Sequence, residues 1–147
     1  MRTTLCWRLS ALISLFALTT TARAQSARVL SYEELDWKAD KVLPSVQSVL
    51  LWGDPATGEH AMLRKFPAGF APSPHRHPAT ERIVVVSGTI LVRYAASQEK
   101  KLGPGSYSEI PANMEHAVKC LDDAPCVFVL ASPGAFAIIP TSQVDKK

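Results

Sequence analysis

From Val46 onward, clusters of Gly, Pro, Asn and Asp break the chain at roughly ten-residue spacing. The runs between breaks are short, apolar and rich in β-branched residues: Val46–Trp52, Ala61–Phe66, Glu81–Val86, Thr89–Tyr94, Gln98–Leu102, Tyr107–Ile110, His116–Leu121, Cys126–Ala131 and Ala135–Ile139. Each is too short for a helix and the right length for a strand. Residues 61–66 alternate apolar and basic, with Met62, Arg64 and Phe66 on one face and Leu63 and Lys65 on the other. The spacing predicts an all-β barrel or sandwich. With 147 residues, 47% of them apolar, the chain can bury one core.

The first residues are set aside from the fold. Arg2 and Arg8 precede and flank the apolar run Leu9–Leu18, and Ala22-Arg23-Ala24 has the small-residue spacing of a cleavage site. Residues 1–24 therefore read as a signal peptide. The run falls short of the roughly 20 residues that span a bilayer; the alternative is an uncleaved anchor. The expected organisation is a signal peptide over 1–24, an N-terminal arm over 25–45, a barrel over 46–140 and a polar tail over 141–147. In the arm, Ser31 and Glu34 fit a capping box, and Trp37 reads as a hydrophobic anchor. The expected destination is the periplasm or the exterior, with no stable membrane association after cleavage.

Cleavage changes the charge. The chain carries sixteen Lys and Arg against thirteen Asp and Glu; losing Arg2, Arg8 and Arg23 leaves thirteen against thirteen. A neutral mature protein gives no reason to expect nucleic acid as a partner. Cys120 and Cys126 remain, separated by a turn-like segment. In an exported protein they read either as a disulfide or as free thiols with redox duties.

Four histidines occur: His60, His75, His77 and His116. His75 and His77 are two apart, so on a strand both imidazoles reach one point. Glu81 joins that face if the strand continues past Pro78. His116, after the turn Pro111-Ala112-Asn113, supplies a third imidazole. Three neutral imidazoles and a carboxylate suit a first-row divalent ion and leave coordination positions open. His60 belongs to no such pattern. Arg76 and Glu115, beside ligands, are expected to point outward.

These residues resemble the cupin superfamily. Gly69-x5-His75-x-His77-x3-Glu81-x6-Gly88 matches the first cupin motif, and Gly105-x5-Pro111-x-Asn113-x2-His116-x3-Cys120 matches most of the second. Asn113 stands where the pattern has Gly, and Cys120 where it has Asn. The resemblance implies a double-stranded β-helix, a jelly-roll barrel with a short N-terminal arm, and one ion inside it held by His75, His77, Glu81 and His116. Iron, manganese, zinc, copper and nickel all fit the donor set, and no organic cofactor is expected.

Three functions fit such a site: a dioxygenase or related oxidoreductase on a small organic substrate, a non-redox isomerase, decarboxylase or lyase, and a small-ligand binding or sensing module. No catalytic residue beyond the metal centre is assigned. Arg64 is a candidate substrate contact for an anionic group, with surface placement an equal alternative. Glu109 is the nearest candidate general base. Ile83, Val85, Val118, Met62, Phe66 and Phe128 are the expected apolar lining. Val84 and Val86 face outward, an apolar stripe to be covered by a second sheet, by the N-terminal arm or by the partner in a homodimer. Metal affinity is expected to fall as pH drops through the imidazole range near 6.5.

Overall fold

The computed structural model describes residues 26–94, 97–121 and 123–141. The signal peptide expected over 1–24 and the tail beyond Thr141 lie outside them. The chain divides into two units, residues 1–30 and 31–147; the described residues of the first, 26–30, form no regular element, and the second holds the whole fold.

Eleven strands are described: β1 Lys38–Ala39, β2 Gln47–Gly53, β3 His60–Phe66, β4 His75–Arg76, β5 Glu81–Ser87, β6 Ile90–Tyr94, β7 Lys100–Leu102, β8 Tyr107–Ile110, β9 His116–Cys120, β10 Cys126–Ser132 and β11 Ile139–Pro140. They form two antiparallel sheets, ordered β1-β2-β3-β10-β5-β8 and β11-β4-β9-β6-β7. From β3 onward the chain changes sheet at every connection except β6–β7. This is the expected all-β jelly roll. Alternation drives it: β5 buries Glu81, Ile83 and Val85 and exposes Arg82, Val84 and Val86. Val46, Phe66, Ile83, Val85, Ile90, Val92, Ile110, Val118, Phe128 and Leu130 fill the space between the sheets.

The arm behaves as its residues require. Glu34 Oε2 accepts from the Ser31 main-chain N–H at 2.7 Å, closing a 3₁₀ turn over Tyr32–Glu34. Trp37 is half-buried under Lys65, whose Nζ stands 5.6 Å from the ring centre. β1 then adds the arm to the edge of β2.

Two expectations are corrected. The strand read over Ala135–Ile139 is irregular up to Ile138, because the segment is spent on packing Phe136 and on a side-chain hydrogen bond through Ala137. The strand carrying His75 does not run on to Glu81: β4 and β5 lie in different sheets, and the chain crosses between them at Pro78–Thr80. Cys120 and Cys126 do form a disulfide, with S–S 2.04 Å. It closes no hairpin ladder, because β9 and β10 also belong to different sheets. The bridge pins a corner where the chain changes sheet. Gly88 fits beneath that corner, with φ +73°; a Cβ there would meet the Pro125 carbonyl oxygen at 2.6 Å and the Cys126 Cα at 2.8 Å.

Candidate metal centre

His75 opens β4 and His116 opens β9, and the two are direct cross-strand partners. His77 follows β4 immediately. The ring centres lie 4.5 Å apart for His75 and His116, 4.9 Å for His75 and His77, and 5.1 Å for His77 and His116. All three are buried.

Each imidazole is oriented by a main-chain carbonyl. The Nδ1 atoms lie 2.8 Å from Ser73 O, 2.7 Å from Ala137 O and 3.0 Å from Met114 O, for His75, His77 and His116 respectively. A carbonyl only accepts, so Nδ1 carries the proton and Nε2 keeps its lone pair. The three histidines each offer a ligand atom within 4.8 Å of the others. This is how a metal-binding histidine is held, with one nitrogen anchored and the other free.

Glu81 arrives from the opposite sheet. Its Oε2 lies 3.3 Å from His77 Nε2, while Oε1 is buried with no partner. Glu81 is not one of the three residues in the 4.8 Å cluster. Burial pushes its pKa up to about 8, partly offset by Arg64. A protonated Glu81 can donate to the His77 lone pair. Burial also pushes the His77 pKa down to about 3 and His116 to about 4, against their carbonyl hydrogen bonds, and lowers His75. The pH dependence anticipated from free imidazole is therefore revised. His77 and His116 stay neutral well below 6.5, and the carboxyl is the group that must lose a proton. An orphaned carboxylate oxygen and three neutral Nε2 atoms fit a divalent ion.

The space between these side chains is about 30 Å³, lined by Arg64, Phe66, Ile83, Val118, Phe128, Leu130, Phe136 and Ile138 besides the histidines and Glu81. Of the expected lining, Val85 and Met62 are buried in the core but do not line this cavity. Arg64 is placed inward, only 2% exposed, with Nη2 3.2 Å from Asp40 Oδ2. Glu109 is exposed on the outer face, accepting from Arg82 Nε and the Tyr107 hydroxyl at 2.9 Å each. It is no base for this cavity. Arg76 and Glu115 are exposed. His60 is buried, bonded through Nδ1 to Gly58 O and set edge-on to Phe136.

Sequence reasoning missed two contributors to the site. Phe136 stacks on His77 at 5.1 Å and stands under the Arg64 guanidinium at 5.2 Å. Asp40 reaches in from the arm. Neither carries a local signal, because each acts on residues far away in sequence.

A family model described as a domain of unknown function, DUF4437, matches residues 22–139. The chain belongs to the DUF4437 family. Its fold is that of the cupins. No curated protein matches it. Among solved structures, this DUF4437 cupin is similar to the polyketide cyclase RemF from Streptomyces resistomycificus, at 14% identity and TM-score 0.68 over 82% of this chain and 89% of that one. It is similar to KdgF from Halomonas sp., at 26% identity and TM-score 0.59 over 74% and 94%. It is also similar to the DMSP lyase DddQ from Ruegeria pomeroyi DSS-3, at 22% identity and TM-score 0.60 over 80% of this chain and 62% of that one, so it spans under two thirds of that protein.

Proposed function

We propose that this cupin is an exported enzyme that binds one divalent transition-metal ion through His75, His77, His116 and Glu81 and oxidises a small organic substrate with dioxygen. The observation that carries the reading is the convergence of three carbonyl-anchored imidazoles and an orphaned Glu81 oxygen on an apolar cavity. A bound iron or manganese ion supplies Lewis acidity and one-electron chemistry. The protein's part is to fix the donors, exclude bulk water with Phe66, Phe128 and Phe136, and enclose a space of about 30 Å³ for the ion and whatever group it binds. Export rests on the leader pattern and agrees with the disulfide. Among the described residues no helix is long and apolar enough to cross a membrane. The test is oxygen consumption by iron- or manganese-loaded protein over a panel of small organic substrates. Substrate-dependent uptake supports the reading, and its absence across the panel defeats it.

A second, non-redox reading has its own support. Glu81 stands outside the three-histidine cluster, and its pKa of about 8 suits a proton carrier at neutral pH. The likeness to proteins named as a polyketide cyclase and a DMSP lyase shows the same fold hosting such enzymes. Turnover with redox-silent zinc, lost in Glu81→Gln with metal retained, separates this reading from the first.

A further inference from the structure

The cavity at the histidines is too small for an organic molecule, but it adjoins a larger one. The outer cavity, about 340 Å³, is lined by Asp40, Val42, Ser48, Leu50, Met62 and Phe136 among others. Phe136 lines both cavities, and the Arg64–Asp40 pair spans them, with Arg64 on the inner wall and Asp40 on the outer. The inner space of about 30 Å³ admits the acid group of a ligand beside Arg64 and little more. Anything attached to that group must extend past Phe136.

Arg64 is poorly used by the protein itself. Its Nε has no partner, although the side chain is almost wholly buried. Nη1 reaches only the Met62 sulfur at 3.9 Å, and Nη2 alone has a charged partner, Asp40 Oδ2 at 3.2 Å. Asp40 is held back, because its Oδ1 accepts from the Val42 and Leu43 main-chain N–H groups at 2.8 and 2.9 Å. A buried guanidinium is normally satisfied by a two-pronged carboxylate contact. Charge points the same way. A divalent ion, ionised Glu81 and the Arg64–Asp40 pair together leave one positive charge in excess, which a monoanion neutralises.

We infer that Arg64 binds the carboxylate of a monoanionic organic acid, whose acid group enters the inner cavity and whose apolar remainder lies past Phe136 against Leu50, Met62 and Val42. The charge argument rests on the metal reading above; the unused Arg64 donors and the paired cavities do not. Asp40 competes with the ligand for Arg64.

The test is calorimetric titration of the zinc-loaded protein with butanoate, hexanoate, octanoate and phenylacetate, each beside its neutral amide. At least one acid is expected to bind tenfold or more tighter than its amide. Arg64→Gln should weaken that acid at least tenfold while metal content is retained, and Asp40→Asn should tighten it severalfold. If every acid binds no better than its amide, the inference is overturned. It is also overturned if Asp40→Asn leaves the affinity of a binding acid unchanged, a result available even should Arg64→Gln fail to fold. Arg64-dependent acid binding by a protein that takes up no metal would uphold this site and defeat the metal reading. Full metal uptake with no acid preference would do the reverse.

Discussion

The main-chain N–H of Asn113 donates to the carbonyl of His77 at 2.8 Å. This bond links the turn before β9 to the segment after β4, so one turn positions both His116 and His77. Asn113 makes it from the left-handed region, with φ +62°. Asn is among the few residues that adopt this conformation at low cost. Asn113→Gly is expected to change stability by less than about 0.5 kcal/mol, and Asn113→Val to cost about 1–2 kcal/mol. The β-branched variant should also bind metal more weakly. Urea unfolding and metal titration of both variants check this.

Truncating an imidazole removes a donor that no neighbour replaces. His75→Ala and His116→Ala are each expected to lower metal affinity by at least about a hundredfold. Elemental analysis of the purified protein, followed by the same measurement on both variants, decides the matter. Metal content that survived both changes would remove the proposed centre.

Metal uptake should release a proton, and from an unusual source. At pH 7 a carboxyl with a pKa of about 8 is roughly nine-tenths protonated, whereas His77 and His116 are already neutral. Uptake at pH 7 is expected to release about one proton, and Glu81→Gln to release almost none. Calorimetry in buffers of different ionisation enthalpy measures the number. A release unchanged in Glu81→Gln would place the proton elsewhere.

The same burial sets the acid stability of the metal-free protein. Unfolded imidazoles take up protons near pH 6.5, but folded His77 and His116 do so only at about 3 and 4. The unfolded state therefore gains protons first, and stability is lost as pH falls below 6.5. Glu81 has the opposite sign: the folded state holds its proton up to about pH 8, so its contribution is lost as pH rises from 4.5 to 8. Two histidines outweigh one carboxyl on the acid side, and the lowered His75 acts in the same direction. The net loss is expected to be on the order of 1 kcal/mol per pH unit around pH 5.5. Denaturant midpoints between pH 7 and 5 should show it, with a shallower slope in His116→Asn.

Reducing the Cys120–Cys126 bridge should destabilise the fold by about 2 kcal/mol, the entropy of a short closed loop. The bridge lies at the far end of β9 from His116, so metal content should not change. Gly88→Ala, driven into the same corner with φ +73°, is expected to cost at least about 2 kcal/mol. Gly103→Ala, which meets nothing within 4 Å, serves as its control.

How much of this was legible depended on the range of the interactions. The pairing of His75 with His77 and the inward set on β5 follow from alternation alone. His116 could be placed because its turn carries a recognisable pattern. Arg64 shows the limit. Alternation put it inside and its charge argued for the surface; what decided the case was Asp40, 24 residues earlier on an arm without a motif. The continuity assumed between His77 and Glu81 failed for a related reason. Four residues along one strand and four across a sheet change look alike in sequence.

That sheet change has a mechanical consequence. His75 and His116 belong to one sheet of the jelly roll, His77 directly follows its strand β4, and Glu81 belongs to the other sheet, so an ion held by all four would stitch the two layers together. Its escape would then be coupled to separation of the layers, and its residence time set by how often the sandwich opens rather than by the strength of any one donor bond. Amide exchange at the buried positions of β5 and β9 should slow together when the ion is bound, while the β6–β7 hairpin at the far edge keeps its own pace.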